Sequence, residues 1–306
     1  MAGRLRLSHH LAYWTLKTVL VSGSILPLAI LRWFGRLLAR CAMPFARRDR
    51  RREEEHLKIA FPTMGLESRH KLRRQAETHL GNLLGETAWL MYADSRKVET
   101  LCKLTGEEHL RKALEAGKGA VLITAHAGNW EILNARLGIA GIPMSIAVRN
   151  VYDPRIDTIA TDLRSRFDTE VVHRGSNAGR KLFSALKINR VVGLLIDQDI
   201  RDLPGVFVPF FGRQAYTPLG AASLALKADC PVIPAFGWRR PDGTHVAEIH
   251  PPLPRPQGDS LDQQVYNLTA SATAVIESHI RAHPDQWVWM HRRWKTRPPG
   301  EEGEKG

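Results

Sequence analysis

Residues 120–132 read AVLITAHAGNWEI, and this stretch decides the fold. Residues 121–124 are an apolar run, which is typical of a parallel strand buried on both faces. His126 follows the strand, a small-residue turn comes next, and Asn129 is a residue type that caps helices, here one that carries Glu131. The stretch therefore predicts a strand, a tight turn and a helix, with His126 at the carboxyl end of the strand.

Strands and helices alternate along the rest of the chain. The hydrophobic pattern predicts further strands at 145–148, 170–172, 191–196, 232–236 and 244–249. It predicts helices at 68–92, 131–139, 154–167, 177–188, 219–228 and 263–282. Such alternation indicates an α/β fold with a mostly parallel central sheet flanked by helices.

His126 and Glu131 stand where such folds bind ligands, because ligands lie outside the carboxyl ends of the strands in open α/β sheets. A carboxylate within reach of an imidazole fixes its tautomer and raises its basicity, so the pair is a candidate base with its orienting group. Two alternatives are a structural histidine beside a local glutamate and a metal pair. The metal pair is the weaker, because no third ligand stands nearby in the sequence.

Composition limits the partners. The 306 residues are 43% hydrophobic, so most of the chain is not disordered. There are 44 Lys and Arg against 31 Asp and Glu, a formal net charge of +13, which favours anionic partners such as nucleic acid, anionic lipid, phosphorylated substrates or an acidic protein. Three cysteines without a CxxC pair exclude a disulfide framework and a cysteine zinc site.

The N-terminal run LAYWTLKTVLVSGSILPLAIL, residues 11–31, approaches the roughly 20 residues of a membrane-spanning helix. Trp14 and Trp33 bracket it, and Lys17 is its single charge. Arginines flank it on both sides, namely Arg4, Arg6, Arg32, Arg36, Arg40, Arg47, Arg48, Arg50, Arg51 and Arg52. The larger basic flank follows the run, so the positive-inside rule predicts that the domain after it is cytoplasmic. A buried or interfacial amphipathic helix is the alternative.

The sequence HAGNWE, residues 126–131, resembles the H-x4-D/E motif of glycerolipid-type acyltransferases. More narrowly, it is similar to the HxGNWE form of the bacterial lipid A biosynthesis acyltransferases, the late lauroyl and myristoyl transferases. Further stretches agree in order, namely VRN (148–150), HRG (173–175), DQD (197–199), FVPFFG (207–212) and WVWMHRRWK (287–295). Phosphatidylinositol mannoside acyltransferases share much of this pattern, usually with Asp at the position of Glu131.

The resemblance implies an activity and a place in the cell. His126 would be the general base and Glu131 its charge partner. A fatty acyl chain would pass from an acyl-carrier-protein thioester to a hydroxyl of a lipid A precursor. The enzyme would work at the cytoplasmic face of the bacterial inner membrane, with no metal or organic cofactor. On this basis we expect an anchor at 1–35, a basic helical segment at 36–100, a catalytic domain at 101–296 and a disordered tail at 297–306.

Several other residues are candidates for binding the substrate. Asn129 begins the helix whose N–H groups suit an oxyanion, while Arg149 and Arg174 follow strands and suit sugar phosphates, since a guanidinium matches phosphate geometry. For each arginine the alternative is a solvated surface charge.

Asp197, Gln198 and Asp199 end the strand at 191–196 and are expected either to bind sugar hydroxyls or to hold the base in place. A turn that ends the strand, or a magnesium pair, is the alternative. Residues 207–211 either line an acyl channel or belong to the core. Arg292 lies among tryptophans, a combination suited to lipid phosphates and also to nucleic acid.

Two other functions compete with this interpretation. A basic membrane-tethered nucleic-acid-binding protein explains the charge but not the His/Glu pair, and the sequence contains no nucleic-acid-binding motif, so no nucleic-acid partner is expected. An acyltransferase acting on another acceptor, such as a phosphatidylinositol mannoside or an ornithine-type lipid, shares every motif named above.

Overall fold

The computed structural model describes residues 7–149 and 153–300, so Arg4, Arg6, Asn150 and the last six residues of the predicted tail lie outside it. The strands are β1 (Cys102–Thr105), β2 (Ala120–Thr124), β3 (Met144–Val148), β4 (Glu170–His173), β5 (Val191–Leu195), β6 (Gly205–Phe210), β7 (Arg213–Pro218), β8 (Val232–Arg239) and β9 (His245–Ile249). Seven of them form one sheet in the order β1-β9-β8-β2-β5-β3-β4. Only the β8–β9 pair in this sheet is antiparallel, which confirms the predicted mostly parallel sheet.

Helices cover both faces of the sheet. They are α1 (Leu7–Ser22), α2 (Leu28–Ala42), α3 (Arg47–Ala60), α4 (Leu66–Leu90), α5 (Ser95–Leu101), α6 (Glu107–Glu115), α7 (Trp130–Ile139), α8 (Pro154–Ser165), α9 (Ala178–Lys187), α10 (Gly220–Ala228) and α11 (Leu261–Ala282). All five residues of β2 are buried, because one apolar cluster packs on each face of the sheet. The uninterrupted apolar run of the sequence thus reflects a strand with no solvent face.

The predicted membrane anchor is not one helix. α1 ends at Ser22 and α2 begins at Leu28, with Pro27 in the N-cap position. Proline has no N–H group to continue the ladder of α1, so the apolar run 11–31 is divided between two helices. Within residues 7–149 and 153–300, no helix combines the length and the apolarity that crossing a membrane requires. The domain boundaries at 35, 100 and 296 stay a prediction.

A buried cluster of charged residues connects α2 to the rest of the fold. Glu86 of α4 is fully buried and accepts hydrogen bonds from Arg32 Nε of α2 (2.9 Å), Arg239 Nη1 of β8 (3.1 Å) and Asn129 Nδ2 (2.8 Å). Burial opposes the ionisation of Glu86, but His245 and the two arginines hold its pKa below the usual range. The carboxylate therefore joins α2, the sheet and the turn after β2 at one point.

Glycines let α2 and α4 approach closely. Cβ atoms on Gly35, Gly81 and Gly85 would each overlap backbone atoms of the opposite helix. This contact places Arg32 within reach of Glu86, so Arg32 belongs to the interior of the fold.

The buried histidine of α11 makes stability depend on pH. His279 stacks on Phe236 with ring centroids 4.3 Å apart, and its Nε2 atom has no hydrogen-bond partner among residues 7–149 and 153–300. Burial, then His283 and His250, lowers its pKa to about 3. Below about pH 6.5 this histidine is protonated in the unfolded chain but not in the folded chain. The free energy of unfolding therefore falls as the pH drops from 6.5 towards 3.

Replacing this ring by one that cannot be protonated should remove that dependence. We expect His279→Phe to raise the free energy of unfolding by about 2 kcal/mol at pH 5, and to leave it nearly unchanged at pH 8. Urea unfolding at the two pH values measures the difference. An equal change at both values would mean that packing, and not protonation, is responsible.

Candidate active site

The imidazole of His126 is held by Asp197. The two oxygens of this carboxylate accept hydrogen bonds from His126 Nδ1 (2.8 Å), from the His126 backbone N–H (2.9 Å) and from Trp287 Nε1 (2.8 Å). An ionised carboxylate only accepts, so Nδ1 carries the proton and Nε2 keeps its lone pair. Burial opposes the ionisation of Asp197, but His126 and His291 keep its pKa below the usual range.

Strand pairing explains why these two residues meet. β2 and β5 are neighbouring parallel strands whose register pairs Thr124 with Leu195. Two residues further along each strand stand His126 and Asp197, so the register carries both to the same edge of the sheet. Asp197, the first residue of the sequence DQD, thus contacts the His126 ring; that it holds a catalytic base stays a prediction.

The C-terminal segment covers the turn after β2. Gly128 N–H donates to Gln286 O (2.8 Å), and Val288 N–H donates to His126 O (3.1 Å). The segment brings His291 to within 4.8 Å of His126, measured between ring centroids. Burial, then His126, lowers the pKa of His291 to about 4, so this second ring is neutral near pH 7.

Gln198 lies between the two rings. Its side-chain Nε2 is 3.2 Å from His126 Nε2 and 2.7 Å from His291 Nδ1. An amide has two N–H groups, so Gln198 is able to donate to both rings at once. His126, Asp197 and His291 also offer ligand atoms within 4.8 Å of one another, which is the geometry of a potential metal site. In this arrangement His126 is hydrogen-bonded to Asp197, and Gln198 lies within hydrogen-bond distance of both His126 and His291. The prediction that no cofactor takes part stays a prediction.

The sequence predicted that Glu131 pairs with His126, but the structure does not show this pair. Glu131 accepts two hydrogen bonds from Arg164 of α8, at 3.1 Å from Nε and 2.6 Å from Nη2. The sequence places Glu131 near His126, but at the start of α7 its side chain turns towards α8, and the carboxylate from β5 takes the position beside the ring. Glu131 still lines the same cavity as His126.

Asn129 caps α7, and both its side-chain oxygen and its side-chain amide are engaged inside the fold. Its Oδ1 accepts from the backbone N–H groups of Glu131 (3.1 Å) and Ile132 (3.0 Å), and its amide donates to Glu86. The side chain is 0% exposed, which contradicts the predicted contact with substrate.

A cavity of about 750 Å³ opens beside His126. Its charged lining residues are Arg149, Arg164, Arg174, Arg201 and Lys295 together with Glu131, Asp157, Asp199 and Asp202. Its aliphatic lining residues include Leu122, Leu133, Leu137, Met144, Ile146 and Leu195. Burial, then the neighbouring Arg149, lowers the pKa of Arg174, so the two predicted arginines share one side of the cavity.

Of the other predicted residues, Asp199 lines the cavity and Arg292 does not. Asp199 lines the cavity and also accepts from the backbone N–H and the hydroxyl of Thr296 (2.6 and 2.9 Å), which anchors the C-terminal segment. Arg292 is exposed and is not among the residues that line the cavity; Lys295 of the same motif is. Sequence analysis missed Arg164, Arg201, His291 and Lys295 as individual candidates, although the last two belong to a motif that it quoted.

Comparison with known sequences gives the family. The profile of the bacterial lipid A biosynthesis acyltransferases matches residues 1–296. The chain belongs to this family. It is therefore an acyltransferase, and membership favours acyl transfer in lipid A or glycolipid biosynthesis over nucleic-acid binding.

The relatives of this chain include acyltransferases named for two different acceptors. The lipid A biosynthesis lauroyltransferase of Escherichia coli K12 is 29% identical over 281 residues, which is 90% of this chain and 88% of the relative. The palmitoleoyltransferase of the same organism is 26% identical, with the same coverage. A phosphatidylinositol mannoside acyltransferase of Mycobacterium tuberculosis is 29% identical over 193 residues, 62% of this chain and 58% of the relative.

Proposed function

We propose that this acyltransferase moves a fatty acyl chain from an acyl-carrier-protein thioester to a hydroxyl group of a lipid A precursor. The observation that carries the proposal is the His126–Asp197 pair at a cavity whose lining contains both arginines and aliphatic side chains. The aliphatic side chains suit the acyl chain, and the arginines suit a phosphorylated sugar. The fuller coverage of the lipid A transferases supports this acceptor over a phosphatidylinositol mannoside.

His126 acts as the general base in this mechanism. Its Nε2 takes the proton of the acceptor hydroxyl while the hydroxyl oxygen attacks the thioester carbonyl. The tetrahedral intermediate collapses as the C–S bond breaks, and the thiolate recovers the proton from the imidazolium. A thiol has a pKa of about 8.5, so this leaving group needs little help from an acid. The acyl chain moves directly between the substrates, without a covalent enzyme intermediate.

The oxyanion needs a hydrogen-bond donor near His126. The N–H of Gly128 does not serve, because it already donates to Gln286 O. Gln198 is the better candidate, because its amide nitrogen is 3.2 Å from His126 Nε2. When the acceptor hydroxyl takes that place, one amide N–H is released beside the reacting carbonyl.

Arg149, Arg174 and the newly identified Arg201 and Lys295 are proposed to bind the phosphates of the acceptor. All four lie on the cavity that His126 lines. Their position on one cavity supports the role, since planar guanidinium groups bind phosphate through two parallel hydrogen bonds.

The aliphatic side chains of the cavity should set the length of the acyl chain. Met144 is a buried lining residue, so a larger side chain at this position would reduce the space for the acyl chain. We expect Met144→Trp to lower kcat/KM for the longest accepted acyl donor at least about tenfold relative to a donor two carbons shorter, since each excluded methylene costs roughly 1–3 kcal/mol. Competition between acyl donors, read by mass spectrometry, measures the ratio. Met144→Leu, which nearly conserves volume, is the control.

We also propose that the enzyme works at the cytoplasmic face of the inner membrane, attached by its N-terminal helices. The exposed aromatic side chains Trp14, Trp33, Phe34 and Phe45 and the exposed arginines Arg40, Arg47, Arg48 and Arg51 support this proposal.

Lipid A from cells with and without the gene tests the function. Loss of one acyl chain from lipid A upon deletion is the expected result. The purified enzyme should then transfer that chain from the carrier thioester to a tetraacyl or pentaacyl glucosamine disaccharide. Unchanged lipid A together with a change in another glycolipid would move the assignment to that acceptor.

A further inference from the structure

A second cavity, which we call the arginine pocket, lies between α2, α3 and α4. Its volume is about 680 Å³, and none of its lining residues belongs to the cavity beside His126. The lining consists of Trp33, Arg36, Leu37, Arg40, Pro44, Arg50, Arg74, Glu77 and Thr78. Its size is in the range of pockets that bind small molecules.

The positive charge of the pocket is not balanced by the protein. Glu77 is its single carboxylate, and that group is already shared by Arg50 and Arg73. Arg36 donates to the neutral side chain of Asn82 (3.0 Å), which leaves its charge uncompensated.

The other two arginines have no counter-charge of their own. Within the described residues 7–149 and 153–300, Arg40 and Arg74 form no ion pair with a carboxylate, and both are exposed. Several guanidinium groups facing one cavity are the usual recognition chemistry of a phosphate group.

The entrance of the pocket is apolar. Trp33 and Leu37 line it and are also exposed, and Phe34 and Leu38 follow them on α2 as further exposed side chains. Trp33 and Phe34 pack edge to face with centroids 4.8 Å apart. Exposed aromatic rings beside cations suit the boundary between lipid headgroups and acyl chains. A soluble phosphate compound would make no use of this apolar rim.

We propose that the arginine pocket binds the phosphate of an anionic membrane lipid, as a ligand and not as a reactant. Arg36, Arg40 and Arg74 hold the phosphate, while Trp33 and Leu37 contact the first part of the lipid chains. Because Arg32 ties α2 to Glu86, a lipid in this pocket would orient the whole catalytic domain on the bilayer. The proposal does not depend on which lipid accepts the acyl group.

Binding of the full-length enzyme to vesicles tests this site. The vesicles are phosphatidylcholine with or without phosphatidylglycerol, and the pocket variant is Arg40→Ala/Arg74→Ala. Arg47→Ala/Arg48→Ala is the matched control, since it removes the same charge from exposed residues of the same basic segment outside the pocket. We expect the pocket variant to lose about tenfold more affinity for phosphatidylglycerol vesicles than the control. Arg40→Lys/Arg74→Lys, which keeps the charge but not the planar groups, should show an intermediate loss.

Three results would overturn the proposal. Equal losses in the pocket and control variants would mean diffuse attraction to the membrane surface, where each basic residue adds about 1 kcal/mol. An equal loss on pure phosphatidylcholine, in a variant that keeps the unfolding temperature of the parent enzyme, would mean that the pocket does not recognise an anionic lipid. Binding of glycerol 3-phosphate as tight as that of the vesicles would identify a soluble phosphate, and not a lipid, as the ligand.

Discussion

His126→Ala is expected to lower kcat by about 10³-fold, because general base catalysis typically contributes 10²- to 10⁴-fold. The acceptor is an alcohol, whose proton must leave as its oxygen attacks the thioester. His126 is the imidazole of the cavity whose tautomer is fixed by a buried carboxylate. Initial rates with saturating carrier thioester and acceptor measure the loss, and circular dichroism checks the fold.

Two comparisons distinguish a lost base from a damaged site. His109→Ala removes a histidine of α6 that does not line the cavity, and its rate should stay close to that of the parent enzyme. Imidazole in the buffer should restore part of the activity of the His126→Ala enzyme, because truncation leaves a space beside Asp197. A rate within tenfold of the parent enzyme, or an equal gain from imidazole in both proteins, would remove His126 from the chemistry.

The sequence predicted the strand, the turn and His126, because each depends on neighbouring residues. The apolar run of β2 and the cap at Asn129 are local signals, and both elements begin within one residue of their predicted starts. The partner of His126 depends instead on which strand lies beside β2. Strand order is a long-range property, so residue spacing favoured Glu131, while the sheet supplies Asp197 from 71 positions further along the chain.

The β6–β7 hairpin was not predicted from the sequence, for a different reason. Its two-residue turn has Phe211 and Gly212 at φ values of 52° and 72°, which is the positive-φ pair that tight hairpins favour. Phenylalanine is an unusual residue there, so the turn carries no Asn-Gly signal in the sequence. Phe211 is held by a bond from its N–H to Glu277 and by packing on Trp289, and Phe210 is fully buried. The core interpretation of residues 207–211 is therefore correct for these two side chains.

Arg32 differs from the other N-terminal arginines for a physical reason. Charge counting treats every arginine near an apolar run as part of a membrane flank. Arg32 instead ends in the interior on Glu86, an arrangement that depends on the close approach of α2 and α4 at their glycines. A sequence pattern does not show which of several arginines meets a buried carboxylate 54 residues away.

Asp197→Asn should reduce kcat about 10³-fold with little change in KM for the acceptor. Asp197 accepts three hydrogen bonds, whereas an amide has one accepting oxygen and one donating nitrogen. The asparagine oxygen would stay with the backbone N–H and the indole, so its NH2 group would face His126. The ring would then accept at Nδ1 and carry its proton on Nε2, the wrong atom for a base, the same effect seen in serine proteases. Steady-state kinetics give the split between kcat and KM.

Glu131 and Asp197 are distinguished by their partners. If Glu131 acts through Arg164, as their two hydrogen bonds indicate, then Glu131→Gln and Arg164→Gln should reduce activity by similar factors. The double variant should then lose little more activity than either single variant, because both changes remove the same interaction.

Trp287→Phe, which removes only the indole donor to Asp197, should reduce kcat far less than Asp197→Asn. A kcat for Asp197→Asn within tenfold of the parent enzyme would mean that His126 does not need this carboxylate, and that the buried pair serves the fold and not the proton transfer.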